Sequence, residues 1–277
     1  MKTFFLKTLK ISCLAVFVFF ISCDKEETPE ETTGVNYSAV NTTRAAKTDV
    51  ILENTFNIME NGYVENEEET RNVNSSFFPE CTVITITPNG NGGNIILDFG
   101  TSCELNNGNI VSGKILLEYG PIISGTRTIT YSFENYSFNG NGVQGGGEIL
   151  REIANENGNP QSTVNSDITV SFPNTDITAN RTGTRIAEWV SGVGSGTWED
   201  NIYHITGNWN TTLTNGFERS GVVTQDLVRK LTCRYIVEGK IDVTQEGITG
   251  TLDFGDGECD NVVTFIINGQ EYPILIN

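Results

Sequence analysis

Thr128-Ile129-Thr130-Tyr131-Ser132-Phe133 alternates polar and apolar residues at every step, and that period of two decides the fold. A strand points successive side chains to opposite faces, so Ile129, Tyr131 and Phe133 would share one buried side. After Phe133 the apolar parity moves to Tyr136 and Phe138, which predicts a bulge or bend at Glu134-Asn135. The same period spreads outward. Ile84 and Ile86 alternate with Val83, Thr85 and Thr87, and further strands read around 110–119, 168–172, 184–190, 202–209 and 221–227. Asn268-Gly269 is a favoured two-residue turn and sets Phe265 opposite Tyr272 and Val263 opposite Ile274. With 29 glycines and only 7 prolines, the composition is that of strands joined by tight turns.

The N-terminus has a different character. Lys2, Lys7 and Lys10 precede an uncharged apolar run from Ile11 to Ile21, which ends at Ser22-Cys23. The run is shorter than the roughly 20 apolar residues of a membrane-spanning helix, so 1–22 reads as an export signal. It resembles a bacterial lipoprotein signal, which implies that Cys23 is acylated and becomes the mature N-terminus, with the membrane as partner through that anchor. Lys25-Glu26-Glu27 is similar to the charged tag of flavobacterial-type Bacteroidetes surface lipoproteins, which implies the outer face of the outer membrane. Asp24 follows the contrary enterobacterial rule for inner-membrane retention, so a periplasm-facing placement stays as the alternative. Residues 23–47, rich in Glu, Thr and Asn, read as a flexible acidic tether.

One helix is expected over 48–62. Leu52, Phe56, Met59 and Tyr63 recur at four- and three-residue steps, and Asn61-Gly62 supplies a stop. The rest, 48–277, reads as a single β-rich domain opened by that helix, its apolar stripe covering an end or face of a sheet. An internal repeat frames the β region. Cys81, a strand, a turn at Gly92-Gly93, Leu97-Asp98-Phe99-Gly100 and Cys103 are matched by Cys233, a strand, a turn at Glu246-Gly247, Leu252-Asp253-Phe254-Gly255 and Cys259. Each cysteine pair would sit across the open end of its own hairpin, at a separation suited to a disulfide, and an exported chain meets an oxidising compartment. The pairing Cys81 with Cys103 and Cys233 with Cys259 is therefore expected, out of three possible pairings. Paired Cys-containing β units on an Asn- and Gly-rich chain also look like those Bacteroidetes lipoproteins. That resemblance implies location and strandedness and brings no activity with it.

Charge excludes one class of partner. The signal holds three of the 17 basic residues and none of the 35 acids, leaving 14 against 35, or about −21. Such a chain repels nucleic acid. Asp253, Asp256, Glu258 and Asp260 offer carboxylates for a calcium ion, but their spacing is not that of an EF-hand, and a solvated acidic turn is the simpler reading. No other cofactor is expected. Gly140-Asn141-Gly142-Val143-Gln144-Gly145 spells a dinucleotide fingerprint without the βαβ setting it needs, so a mobile hairpin loop is expected there. The one histidine, His204, alternates with Tyr203 and Ile205 and reads as a residue of a sheet surface; no nucleophile elbow accompanies it. Trp189, Trp198, Tyr203 and Trp209 cluster in sequence and would stack on sugar rings if exposed together, or fill a core if not.

The expected architecture is mainly β: an antiparallel β-sandwich or curved β-meander, with one N-terminal helix and Cys-containing hairpin repeats. The functional expectation is a membrane-anchored surface lipoprotein, non-enzymatic, with a binding role toward glycan or an envelope protein or a structural role in the envelope. A tethered hydrolase acting on glycans through paired carboxylates is the alternative.

Overall fold

The computed structural model describes residues 39–66 and 74–276, and Ser38–Asn277 forms one compact unit. Cys23 and most of the expected tether lie outside the described residues. The described residues form one α-helix, α1 (Ala39–Val64), followed by fourteen strands: β1 (Val83–Asn89), β2 (Gly92–Asp98), β3 (Cys103–Glu104), β4 (Ile110–Tyr119), β5 (Thr126–Phe138), β6 (Asn141–Glu152), β7 (Gln161–Ser171), β8 (Thr178–Ser191), β9 (Ile202–Leu213), β10 (Glu218–Lys230), β11 (Glu238–Gln245), β12 (Ile248–Asp256), β13 (Val262–Ile267) and β14 (Gln270–Leu275). They make one antiparallel sheet in chain order, with only β3 off the path, paired to β4. This is the meander rather than the two-sheet sandwich. The path does not close, and β1 and β14 are its edges. Each edge strand carries a proline, Pro88 and Pro273, which removes a ladder donor where another chain would otherwise pair.

Turn chemistry sets this topology. Asn139-Gly140, Glu246-Gly247 and Asn268-Gly269 have positive φ at both positions, the backbone that matches strand twist in a two-residue hairpin. The last places Phe265 opposite Tyr272 and Val263 opposite Ile274, as expected. The first repeat turns at Gly90-Asn91 instead of Gly92-Gly93, because Gly92 and Gly93 already pair with Asn89 and Pro88. In β5 the step from Glu134 to Ser137 faces the shorter step from Lys114 to Ser112, with Asn135 at φ 51°, so the bulge lies where the parity shift puts it.

The mobile loop expected at Gly140–Gly145 is corrected. Beyond the turn at Asn139-Gly140 these residues belong to β6. A Cβ on Gly146 would stand 2.4 Å from the Tyr131 carbonyl oxygen, and one on Gly147 2.2 Å from that of Asn165. Glycine is needed there because three strands approach closely, and not because the backbone is loose.

The helix also differs from its expected bounds, beginning at Ala39 instead of 48 and running past Gly62 to Val64. Its early threonines, poor helix formers, turn their hydroxyls back on the helix: Thr43 Oγ1 donates to the Ala39 carbonyl at 2.8 Å, and Thr48 Oγ1 to that of Arg44 at 2.9 Å. Tertiary contacts hold the extension, with Gln245 Nε2 donating to Thr42 Oγ1 at 2.7 Å and Asn215 Nδ2 to Asn41 Oδ1 at 3.0 Å. From Asn54 to Val64 every residue is buried, polar and apolar alike. Leu52, Phe56, Met59 and Tyr63 pack with Leu97, Ile115 and Ile129 in the larger core, which serves β2 to β9. The polar faces meet side chains from the sheet: Arg127 of β5 reaches Tyr63, Arg151 of β6 reaches Glu60, Arg185 of β8 reaches Glu53 and Arg229 of β10 reaches Asn54. Strands this far apart in one sheet touch one helix only if the sheet curves around it. A second, smaller core of Ala187, Trp189, Tyr203, Ile205, Leu227, Ile241 and Val243 lies under β8 to β11.

Candidate functional site

A cavity of about 150 Å³ lies between the middle of α1 and the inner faces of β8 to β12. One wall is apolar, formed by Trp209, Val223, Leu227, Ile241, Leu252 and Phe254. The other is charged. Asp49 and Glu53 stand on α1, with Arg181 and Arg185 on β8 and Arg219 and Arg229 on β10. All four arginines are more than nine-tenths buried. They occupy inward positions of the strand alternation, Arg181 and Arg185 sharing the parity of Ala179, Ala187 and Trp189. Long guanidinium side chains reaching from strand to helix hold the two apart, and the apolar residues between them do not fill the gap.

The ion pairs are unequal. Arg185 grips Glu53 with two bonds, Nε to Oε2 at 2.9 Å and Nη2 to Oε1 at 2.8 Å, and its Nη2 also donates to Asn57 Oδ1 at 3.0 Å. Burial opposes the Arg185 charge, but Glu53 outweighs it and raises the pKa above its ordinary value. Asp49 is shared: Arg219 Nε stands 3.2 Å from Oδ2 and Arg181 Nε 3.7 Å from Oδ1. Burial pushes the Asp49 carboxyl above the usual range, and the two arginines offset this only in part. Arg181 stacks its guanidinium over Trp209, 4.6 Å from the ring centre, while its Nε and Nη1 have no hydrogen-bond acceptor among the described residues. Arg229 donates from Nη1 to the Arg234 carbonyl and from Nη2 to Asn54 Oδ1, each at 3.1 Å, and its Nε has no acceptor among the described residues. Both acceptors are neutral, and burial lowers the Arg229 pKa to about 10, so it stays charged at neutral pH.

The residues singled out in the sequence fall in several places. Trp189 and Tyr203 stack on each other at 6.0 Å in the smaller core, which buries both and removes them from any exposed stacking platform. Trp198 sits in a short 3₁₀ turn, Trp198–Asp200, edge-on to Phe77 at 5.5 Å. Only Trp209 reaches the cavity. His204 lies on the outer face with Nδ1 4.0 Å from Asp226 Oδ2. Both expected disulfides are present, Cys81–Cys103 and Cys233–Cys259. Asp253, Asp256, Glu258 and Asp260 line a shallow groove. They do not converge, because Asp253 is held by Lys240 at 2.9 Å and Asp260 accepts from the Val262 N–H at 2.9 Å. Among the described residues no group of three or more His, Cys, Asp or Glu side chains is placed to hold a metal.

Sequence reasoning missed the buried arginines. The available signal was parity, since an arginine in step with buried alanine and tryptophan along a strand must point inward. No helix among the described residues is long and apolar enough to cross a membrane, and the two disulfides accord with an extracytoplasmic, oxidising compartment. The chain matches no family model, no curated protein and no solved structure.

Proposed function

We propose that this chain is a lipid-anchored lipoprotein of the outer membrane, facing outward, whose β domain binds a small, largely apolar molecule between α1 and β8 to β12. The observation that carries the binding reading is the cavity, an apolar wall closed by a few placed polar groups, which is the usual make-up of a small-molecule site. The N-terminal signal and the Lys25-Glu26-Glu27 tag support the location. The hydrolase alternative gains no support here, because Asp49 and Glu53, the carboxylates of the cavity, are both engaged by arginines.

Two experiments test these parts. The full chain purified from producing cells is denatured and its extract compared by mass spectrometry with that of Leu252→Trp, which fills the cavity. A compound retained near one per chain by the wild type and lost in the variant is expected; identical extracts would overturn uptake. Proteinase K added to intact cells should remove the protein while a periplasmic control survives, and lysed cells should lose both. Protection on intact cells with loss on lysis would place the domain inside.

A further inference from the structure

The binding reading leaves the ligand's chemistry open, and the charges around the cavity narrow it. Five guanidinium groups, four of them buried, stand against two carboxylates in its wall. Glu53 is taken by Arg185, and Asp49 is shared between Arg219 and Arg181. Arg229 remains. It is 2 % exposed, it has no carboxylate in ion-pair contact among the described residues, and its two bonds go to neutral oxygens that orient the guanidinium without neutralising it. A buried charge without a counter-ion is among the least favourable arrangements in a protein, and a hydrophobic residue of similar size would cost less. This one is held in an acidic chain, where carboxylates are plentiful, yet among the described residues none pairs with it directly, and Glu53, which acts on it at longer range, is already bonded to Arg185.

Resting on the uptake reading above, we propose that the cavity takes a small amphiphile with an anionic head, the head paired with Arg229 and the tail laid against Leu227, Leu252 and Phe254. A bound carboxylate supplies the charge that Arg229 lacks, in a dry setting where the pair is strong. The tail is short, since a cavity of about 150 Å³ is the size that admits a benzene ring. Exposed Arg234 also lines the cavity and adds a second cation on the way in.

The test compares 3-phenylpropanoate with 3-phenylpropan-1-ol, which share a tail and differ in head charge, by calorimetry on the full chain. The carboxylate should bind at least tenfold more tightly. Arg229→Gln should erase that ratio, and Arg229→Lys, which keeps the charge, should retain part of it. Equal affinities in the wild type would overturn the anionic head and leave apolar uptake standing. Binding of neither compound would overturn both. If Arg229→Gln does not fold, the wild-type ratio of carboxylate to alcohol decides alone.

Discussion

Leu97-Asp98-Phe99-Gly100, closing β2, and Leu252-Asp253-Phe254-Gly255, within β12, are the same four residues in two settings. Locally they behave alike. Asp98 Oδ1 accepts the Gly100 N–H at 2.9 Å and Asp253 Oδ1 that of Gly255 at 3.0 Å; Lys114 pairs with Asp98 at 3.3 Å and Lys240 with Asp253 at 2.9 Å. A disulfide spans each hairpin. Their interiors differ. Leu97 is sealed under α1 and Phe99 against Phe78 and Tyr136, whereas Leu252 and Phe254 are half-buried and line the cavity. The helix makes the difference. At Gly62 a Cβ would stand 2.5 Å from Leu97 Cδ1, so a missing side chain lets helix and sheet touch. Opposite the second copy, Arg219 and Arg229 intervene. A repeated unit sets its own corner, but how tightly it packs is set by what the rest of the fold places across from it.

Truncation is the strongest way to break this comparison. Phe99→Ala should cost about 3–5 kcal/mol, the range for a fully enclosed phenylalanine, measured by denaturant unfolding. Phe254→Ala, removing a ring that already borders empty space, should cost less than half as much; equal losses would mean that the two interiors are equally filled. The staples come next. Replacing Cys81 and Cys103 together by serine, or Cys233 and Cys259 together, should each cost about 3 kcal/mol in a chain-entropy model, because the loops of 22 and 26 residues are nearly equal. Unequal losses would locate strain or residual structure in one hairpin.

Adding volume should reverse the sign between the halves. Val111→Leu, in the sealed core, should destabilise by about 1–3 kcal/mol. Val223→Leu, at the cavity wall, should stabilise by about 0.5–2 kcal/mol. The smallest effect is in acid. Hydrogen bonding from the Gly100 N–H, and then Lys114, lowers the Asp98 pKa; burial raises that of Asp253, but Lys240 and the Gly255 N–H outweigh it. A folded-state pKa below the unfolded value gives stability present above about pH 3.9 and lost as pH falls through the lower folded value. Asp98→Asn and Asp253→Asn should each flatten the acid limb slightly. Asp49 has the opposite sign: its raised carboxyl makes the fold lose stability as pH rises through the raised value, so Asp49→Asn should remove a loss rather than a gain.

What was legible in the sequence follows from the range of the forces involved. The period of two in β5, the bulge after Phe133, the Asn268-Gly269 hairpin and the cysteine pairs are local or nearly so, and each is read from neighbouring residues. The start of α1 was not legible, because partners at Asn215 and Gln245 hold it. Nor was the strand character of Gly145 to Gly147, which depends on how closely β5 and β7 approach. Of the four aromatics marked for binding, only Trp209 lines the cavity, since clustering in sequence along alternating strands says little about sharing a surface. The arginines were legible only by counting parity, and a cavity is a property of tertiary spacing that no single stretch encodes.

The enclosure of α1 also bears on the order in which the molecule assembles. Consecutive strands pair throughout except that β2 skips β3 to pair with β4, so the sheet can grow by short loop closures as the chain emerges. The helix is synthesised before any of them, yet its side chains bond to β10 and to Gln245, a partner 203 residues from Thr42. A nascent chain that has reached β9 already carries α1 but lacks Arg219, Arg229 and Gln245. The first of the described elements to be made completes these contacts only once β11 has emerged.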